Sequence, residues 1–273
     1  MIERGLRRLA DALPTATVRA VGRWQFSGPR PVRPLVRAAA RRIAGSAGHI
    51  SRGPAAGLIF DAGGMNPGYL LGTTEPFVQE ALVRSLQPGN VFYDIGAAAG
   101  FHSLLASRMI GDGGAVYAFE PAPASADLVE RNARANGAGQ IHLLRKAVSA
   151  AGGRGLLLVD EQSNHSRLVS GEGPSVVQVE LASIDDLVAA GEIRPPNVVK
   201  IDVEGAELDV LEGMQRTIAE YRPVLLVELH WLGPTFVELA RRILDGYELT
   251  PLGDDPLFEI DQIAYGHVLA TPR

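Results

Sequence analysis

The sequence predicts an α/β fold in which helices cover a mostly parallel β-sheet. Short apolar runs bounded by turn residues alternate with segments of helical spacing, and this alternation is typical of buried parallel strands joined by helices. Five such runs are expected to be parallel strands: 91–95, 115–119, 141–144, 198–201 and 224–227. Two further strands near 247–250 and 263–269 would form an antiparallel terminal pair and complete a seven-stranded sheet.

The stretch from Val91 to Gly100 organises the predicted sheet. Its apolar strand is followed by a tight turn framed by Gly96 and Gly100, and apolar side chains then recur at helical spacing from Phe101. Glycine allows the backbone to approach a small ligand closely, and a helix N-terminus directs free N–H groups towards it. The plainer alternative is a turn that only lets the helix pack on the strand.

An acidic residue at the tip of the second strand narrows the choice of ligand. Glu120, which Pro121 follows, lies about 20 residues beyond the glycines, where a carboxylate can bond a ribose diol. A nicotinamide dinucleotide and S-adenosylmethionine both carry such a diol. The dinucleotide fingerprint requires Gly-x-Gly-x-x-Gly, whereas the spacing here is Gly96-x-x-x-Gly100. Asp94 would face a pyrophosphate but suits a cationic amino-acid ligand, so S-adenosylmethionine fits better.

Three motifs in this chain resemble the FkbM family of S-adenosylmethionine-dependent methyltransferases. They are Phe92-Tyr93-Asp94-Ile95-Gly96-Ala97 through Gly100, Phe119-Glu120-Pro121, and Lys200-Ile201-Asp202-Val203-Glu204-Gly205-Ala206-Glu207. The likeness covers 71–230, and the last motif is its most specific part. Where the family usually has Asn between the two glycines, this chain has Ala98. The resemblance implies a class I methyltransferase fold, with a Rossmann-like seven-stranded sheet that is mostly parallel and has an antiparallel terminal strand.

The resemblance also implies a function, the transfer of a methyl group from S-adenosylmethionine to a hydroxyl of a sugar, glycolipid or natural product. The expected acceptor is therefore a hydroxyl-bearing small molecule or glycan. Two alternatives stay open. One is a non-catalytic cofactor-binding or membrane-attached interaction protein, and the other is an NAD-dependent oxidoreductase, which the glycine spacing disfavours.

The cofactor site is expected to extend beyond the glycine turn. In the family a Gly-x-x-Glu-Pro segment lies over the cofactor, which implies a role for Glu75; a helix-dipole acid without a ligand is the alternative. The loop after the third strand approaches the adenine in this fold, so Lys146 and Ala147 are expected to contribute through their backbones. The predicted cofactor-binding residues are thus Glu75, Asp94, Gly96, Ala97, Gly100, Glu120, Pro121, Lys146, Ala147 and Asp202.

Polar residues at the carboxyl ends of several strands indicate where catalysis would occur. Open α/β sheets bind ligands beyond these ends, and the residues that fall there are Asp94, Glu120, Asp202, Glu228 and His230. A hydroxyl is a poor nucleophile until a base or a metal engages it. Asp202 and His230 are therefore expected to border the acceptor, one as general base and the other orienting it. A buried structural histidine is the alternative for His230.

Two further pairs of residues complete the predicted site. Glu204 and Glu228 either hold the catalytic pair or coordinate Mg²⁺, which carboxylates and water suit, although no metal motif is clear. Asn164 and His165 lie in a polar loop between two β-like runs, and we expect them to contact the acceptor. An ordinary surface loop is the alternative there.

Length and charge divide the chain into two predicted parts. Its 273 residues suit one α/β methyltransferase domain at 56–273, preceded by a helical extension at 1–55. The extension holds 11 Arg and two acidic residues, a balance of +9, whereas the remainder has a balance of −14. Prolines at 29, 31 and 34 are expected to separate two helical pieces within it.

The extension has three interpretations. It could cover the domain or pair subunits in a homodimer, or it could be a basic amphipathic surface that touches anionic lipid or a lipid-linked substrate. The third interpretation is nucleic-acid binding, which is not expected because aromatic residues are few among the arginines.

Composition excludes several classes of protein. The chain has no cysteine, which rules out disulfides and thiolate metal sites. It lacks an apolar run of membrane-spanning length and the apolar core of a signal peptide. The expected location is therefore cytoplasmic, with peripheral attachment at the inner face of the membrane as an added interpretation of the basic extension.

Overall fold

The computed structural model describes residues 2–27, 29–159, 166–230, 233–253 and 265–273. Its helices are α1 Ile2–Ala12, α2 Thr15–Ser27, α3 Arg33–Ala44, α4 Gly68–Leu71, α5 Pro76–Ser85, α6 Phe101–Ile110, α7 Pro123–Ala135, α8 Ile184–Ala189, α9 Glu207–Glu212, α10 Gln215–Tyr221 and α11 Gly233–Ile243. Its strands are β1 Ala47–His49, β2 Ile59–Asp61, β3 Val91–Ile95, β4 Ala115–Phe119, β5 Ile141–Leu144, β6 Lys146–Val148, β7 Gly153–Leu158, β8 Arg167–Val169, β9 Val176–Ala182, β10 Val198–Ile201, β11 Val224–His230, β12 Tyr247–Leu252 and β13 Tyr265–Pro272.

The main sheet has seven strands in the order β12-β13-β11-β10-β3-β4-β5. The five strands from β11 to β5 run parallel, while β13 pairs antiparallel with both β11 and β12. The predicted class I methyltransferase sheet is therefore confirmed, including its antiparallel terminal pair. Because β3, β4 and β10 lie in the interior of this sheet, every residue in them is buried, which explains their continuous apolar runs.

Two apolar cores lie on opposite faces of this sheet. Successive side chains of a strand alternate between its faces, so Phe92 packs in one core and Tyr93 in the other. The core around Tyr93 receives apolar side chains from α9, α10 and α11. The core around Phe92 receives those of α5 and α6 and also Val18 and Ile43 from the N-terminal helices. The extension is thus packed onto the domain.

The extension forms three helices, so the prediction of two helical pieces is wrong. Pro14 has no N–H to continue the hydrogen bonding of α1, and a new helix, α2, begins directly at Thr15. Pro34 does not stop a helix but lies in the first turn of α3, where its missing N–H is not needed. Among the described residues, no helix combines the length and the apolar character that a bilayer crossing needs.

A short hairpin links the extension to the domain. β1 and β2 pair antiparallel on either side of residue 55, so the predicted boundary falls inside the hairpin, and the division of the chain there stays a prediction. Two asparagines hold β2 in place: Asn132 lies in α7, and Asn136 directly follows the last residue of α7. The Asn132 carboxamide bonds the N–H and C=O of Asp61 at 2.8 and 3.0 Å and the C=O of Ala99 at 2.8 Å. Asn136 bonds the N–H and C=O of Ile59 in the same way.

A second sheet of four strands, in the order β6-β9-β7-β8, follows β5. The predicted β-like run at 156–159 falls on β7 except for Val159, and β7 begins three residues earlier than predicted. The run at 176–179 falls on β9, which ends three residues later than predicted. Lys146 and Ala147 were expected in a loop, but they lie on β6, which pairs in parallel with β9. The predicted acceptor-contacting residues Asn164 and His165 lie outside the described residues.

We expect Asn132→Ala to lower the free energy of unfolding by about 2–4 kcal/mol, because three backbone groups, two part-buried and one buried, lose their partner at once. Urea denaturation followed by circular dichroism measures this loss. Asn136→Ala is the matched control, and since Asn136 is only half-buried, water can replace its bonds and the loss should be nearer 1 kcal/mol. Equal losses for the two variants would contradict this role of Asn132.

Candidate functional site

A cavity of about 260 Å³ opens at the carboxyl ends of the central parallel strands. Nine of the predicted site residues line it: Glu75, Gly96, Glu120, Pro121, Lys146, Ala147, Asp202, Glu204 and Glu228. Four others do not belong to its wall: Asp94, Ala97, Gly100 and His230. The fold therefore brings most of the predicted residues to one edge of the sheet, where open α/β sheets bind ligands.

The glycine turn after β3 is fixed by close packing against the end of β10. Gly96 has a φ of 82°, and a Cβ there would clash with the backbone oxygen of Asp202. The N–H groups of Gly96 and Ala97 both donate to the C=O of Phe119 at 3.0 Å. The expectation that this turn offers free N–H groups is therefore wrong for these two residues, because the turn folds back onto β4.

Ala98, the residue at which this chain departs from the family pattern, has a left-handed backbone with a φ of 50°. A residue with a Cβ is strained in this region, and Asn is among the side chains that tolerate it best. The N–H of Ala98 donates to the Glu120 carboxylate at 2.8 Å, so the turn retains this conformation through a hydrogen bond across the cavity edge.

Glu120 lies at the tip of β4 with both carboxylate oxygens bonded to the backbone. One oxygen accepts the N–H of Ala98 and the other that of Ala122, each at 2.8 Å. Burial raises the pKa of Glu120 to about 7, even though these two bonds act in the opposite direction. Each oxygen retains a second lone pair that could accept a hydroxyl from the cavity side.

Asp94 lies behind the cavity wall rather than in it. Its carboxylate accepts a hydrogen bond of 2.6 Å from the Ser103 hydroxyl, and the side chain is fully buried. Burial raises the pKa of Asp94, while the charge of Lys200 and the bond from Ser103 oppose that rise. Direct contact of Asp94 with a ligand stays a prediction, and its visible role is to face Lys200.

Lys200 is the central cation of the site, and we did not single it out from the sequence. Its ammonium lies 2.9 Å from the Asp202 carboxylate, and its residue is only 2 % exposed. Four carboxylates act on it electrostatically: Asp202, Asp94, Glu75 and Glu228. Burial alone would lower the pKa of Lys200, but these carboxylates outweigh burial and raise it. The sequence did contain a signal for Lys200. Side chains two residues apart along a strand lie on the same face, so Lys200 is expected on the same face as Asp202.

His230 is enclosed by carboxylates and does not reach the cavity wall. Its Nδ1 lies 2.7 Å from Glu207, and its Nε2 lies 3.4 Å from Glu204 and 3.7 Å from Glu228. Burial lowers the pKa of His230, but the hydrogen bond to Glu207 and the nearby charges overcome it and raise the pKa to about 9. The imidazole is therefore protonated at neutral pH, which is the wrong state for a general base.

Glu75 contributes a second strained backbone and a buried carboxylate to the cavity wall. Its φ is 40°, and burial raises its pKa to about 7. One oxygen, Oε2, has no hydrogen-bond partner and lies 3.6 Å from His102, a ring whose pKa burial lowers well below its usual value. Non-glycine residues with positive φ tend to occur at functional sites, and this oxygen can accept a donor from a ligand.

The donor atoms in this region do not fit Mg²⁺. Among the described residues, two sets of three ligand atoms lie within 4.8 Å of one another: Asp202, Glu228 and His230, and Glu75, Glu228 and His267. Each set includes a histidine, whereas Mg²⁺ prefers an octahedron of oxygen ligands. The ammonium of Lys200 already lies beside Asp202. The expectation that Glu204 and Glu228 coordinate Mg²⁺ therefore has no support in the site.

The sequence motifs and the geometry of the cavity agree with the protein family that a sequence comparison identifies. The sequence profile described as "Methyltransferase FkbM domain" matches residues 94–260. This chain belongs to that family. The chain is 35% identical over 161 residues to the "Hexuronic acid methyltransferase AglP" of Haloferax volcanii. This match covers 57% of this chain and 62% of that protein. The chain is 30% identical over 120 residues to "Methyltransferase 1" of Beauveria bassiana, covering 36% of this chain and 48% of that protein.

The chain thus spans about three fifths and about half of the lengths of these two curated relatives. Solved structures are more distant. A methyltransferase FkbM from Methylobacillus flagellatus matches with a TM-score of 0.46 and 18% identity, over 75% of this chain and 52% of that one. An O-methyltransferase from Thermotoga maritima matches with a TM-score of 0.44 and 12% identity, over 72% and 64%. The strand order of this chain itself defines the fold.

We expect Lys200→Met to lower the free energy of unfolding by about 3–5 kcal/mol at pH 8, because buried carboxylates lose the ammonium that compensates them. Without it their pKa values rise further above those of the unfolded chain, so the loss should shrink as the pH falls towards 5 and they become protonated. Thermal and urea denaturation across this pH range measure both effects.

The other lysine of the chain supplies the control. Lys146 is paired at 2.8 Å with Glu180, which is exposed, so Lys146→Met should cost less than about 1 kcal/mol at either pH. A Lys200→Met loss that is small, or that does not depend on pH, would show that the ammonium does not hold the carboxylates.

Proposed function

We propose that this chain is an S-adenosylmethionine-dependent methyltransferase that methylates a hydroxyl oxygen of a sugar-type acceptor. The single observation that supports this most directly is the acidic cavity at the carboxyl edge of the sheet, where Glu75, Glu120 and Asp202 face one space. Such a cavity suits a ligand that carries an ammonium, a sulfonium and a ribose diol. Membership of the FkbM family supports the same conclusion.

The residues of the cavity fit this cofactor. Glu120 retains lone pairs for the ribose diol, and the buried Glu75 oxygen without a partner suits the ammonium. Apolar side chains from the second sheet and the end of β4 line the same space and offer a surface for the adenine: Phe119, Ala147, Leu157 and Leu168. When bound, the cofactor supplies an activated methyl group, so the protein has to position the acceptor and accept its proton.

Asp202 is the group we propose as the general base. It lines the cavity and its side chain is 24% exposed, so an acceptor hydroxyl can reach it. The ammonium of Lys200 favours its ionised form against the effect of burial, which raises its pKa. His230, protonated and outside the wall, positions Glu204 and Glu228 instead.

The acceptor class rests on the named relative. The Haloferax volcanii protein is described as a hexuronic acid methyltransferase, which supports a sugar-type hydroxyl compound for this chain as well. A hexuronic acid offers both hydroxyls and a carboxylate. We infer a hydroxyl as the methylated group because hydroxyls need a base and Asp202 lines the cavity where a base would act, whereas the carboxylate would need none. The acidic residues of the cavity oppose the binding of a dinucleotide pyrophosphate and so disfavour the oxidoreductase alternative.

The proposal is tested by incubating the protein with S-adenosylmethionine labelled in its methyl group, together with neutral hexosides, hexuronic acids and extracts of the source cells. We expect label in an O-methyl ether identified by mass spectrometry. Calorimetry with S-adenosylhomocysteine and NADH separates the alternatives. Binding of the former without any transfer would favour the non-catalytic protein, and binding of NADH alone would favour the oxidoreductase.

We expect Asp202→Asn to reduce kcat by about 10²–10⁴, because the proton of the acceptor then has no base, while affinity for S-adenosylhomocysteine changes only a few-fold. Steady-state kinetics with the identified acceptor measure the first effect and calorimetry the second. Glu212→Gln, which makes the same charge change on the exposed end of α9, should leave both unchanged. Near-normal turnover of Asp202→Asn would overturn the assignment, and a loss confined to His230→Gln would transfer it to His230.

We expect affinity for S-adenosylhomocysteine to increase between pH 6 and pH 8. The pKa values of Glu75 and Glu120 are raised to about 7, so each carboxyl must release a proton in that range before it can bond the ligand as a carboxylate. The gain should be about tenfold for each group that ionises on binding. Glu75→Gln should remove part of this pH dependence, and Glu80→Gln, an exposed change on the same helix, should not. An affinity that does not vary with pH would exclude both carboxylates from the ligand.

A further inference from the structure

We propose that the N-terminal helices carry a binding surface for an anionic lipid bilayer. This basic face consists of the exposed side chains Leu9, Leu13, Trp24, Leu35, Arg41 and Arg42. The proposal goes beyond methyl transfer, and its test does not require catalytic activity.

Exposed apolar side chains are concentrated in this part of the molecule. Among the described residues, six large apolar side chains are exposed, and four of them lie within 2–44: Leu9, Leu13, Trp24 and Leu35. Leu35 is 73 % exposed and Leu9 is 66 % exposed. They are not the inward stripe of their helices, since Leu6 and Ala10 of α1 and Ile43 of α3 already pack against the core. Apolar side chains left in water on several adjacent helices indicate an interaction surface.

Positive charge surrounds these apolar side chains. Residues 1–55 hold eleven arginines and two acidic residues, Glu3 and Asp11. Asp11, which lies between Leu9 and Leu13, is 4.0 Å from Arg52, so the balance around the apolar side chains stays strongly positive. On α3, Arg42 is exposed on the same side as Leu35, because positions 35 and 42 are seven residues apart and therefore two helical turns apart on one face. Arg41, also exposed, lies on the adjacent flank of the helix. Helices with leucine or tryptophan next to arginine bind at bilayer interfaces, with the apolar groups below the headgroups and the arginines at the phosphates.

The helices that carry the basic face are packed onto the domain. Val18 and Ile43 are buried in the core around Phe92. Directly after α3, the C=O of Ala44 accepts the N–H of Gly64 at 3.0 Å. Gly64 precedes Met65 and Asn66, which line the cavity. A bilayer bound at the basic face would therefore hold the cavity in a fixed position relative to the lipid surface.

A lipid surface suits this face better than a second copy of the chain. A two-fold homodimer through the same patch would bring arginine against arginine, because both subunits present the same surface to each other. The four exposed apolar side chains are distributed over three helices and the turn between α1 and α2, whereas stable homodimers bury a larger apolar centre. A bilayer accepts separate apolar side chains individually and supplies negative charge across the whole face.

The test is flotation of the whole protein with phosphatidylcholine vesicles that contain or lack phosphatidylglycerol. We expect binding to the vesicles that contain phosphatidylglycerol at about 0.1 M salt, no binding to pure phosphatidylcholine, and release at about 1 M salt. Arg41→Glu with Arg42→Glu should weaken binding at least tenfold, and Leu35→Ser should weaken it several-fold. Circular dichroism of each variant verifies that it is folded.

Matched substitutions elsewhere on the surface distinguish binding through the basic face from a general effect of net charge. Arg84→Glu with Arg134→Glu reverses two exposed arginines outside the extension, and Tyr221→Ser removes an exposed ring there. Both should bind vesicles like the original protein. The proposal is overturned by a failure to float with either vesicle or by equal losses in the control variants. It is also overturned if sedimentation detects a dimer that Arg41→Glu with Arg42→Glu dissociates, which would identify the face as a protein interface.

Discussion

The electrostatic balance around the buried ammonium of Lys200 is the constraint on which the rest of this structure depends. A charge taken out of water is tolerated only when opposite charges surround it closely, and here the carboxylates come from three adjacent strands and one connecting segment. The parallel pairing of β10 with β3 puts Lys200 opposite Asp94, and Asp202 follows two residues later on the same face. The strand order and the register of the sheet therefore also bring the charged residues of the site together.

Carboxylates outnumber cations around this ammonium, and the excess of negative charge makes the cavity acidic. Lys200 and His230 are the cations with raised pKa values, and the acidic side chains facing them are Glu75, Asp94, Asp202, Glu204, Glu207 and Glu228. Burial raises the pKa of several of these acids because the two cations only partly compensate them. A cationic ligand would relieve this imbalance, and a dianionic one would increase it. Against the effect of burial, the same surrounding carboxylates raise the pKa of His230 to about 9.

The sequence was informative wherever burial left a regular pattern. The interior strands lie within apolar runs because both of their faces are covered, and their ends locate the edge of the sheet. Lys200 was missed because a lysine inside such a run resembles an ordinary interruption, and only the spatial register gives it four acidic neighbours. The bonds of Gly96 and Ala97 to Phe119 could not be predicted either, since they depend on how the turn folds onto a strand distant in the chain.

The left-handed backbone of Ala98 affects how this domain can vary. Replacement of alanine by glycine or asparagine at such a position relieves conformational strain of about 1 kcal/mol, so the backbone would accept either residue readily. Its side chain also borders the cavity. Residue 98 is therefore a position at which the size and polarity of the ligand pocket can change during divergence without loss of thermal stability.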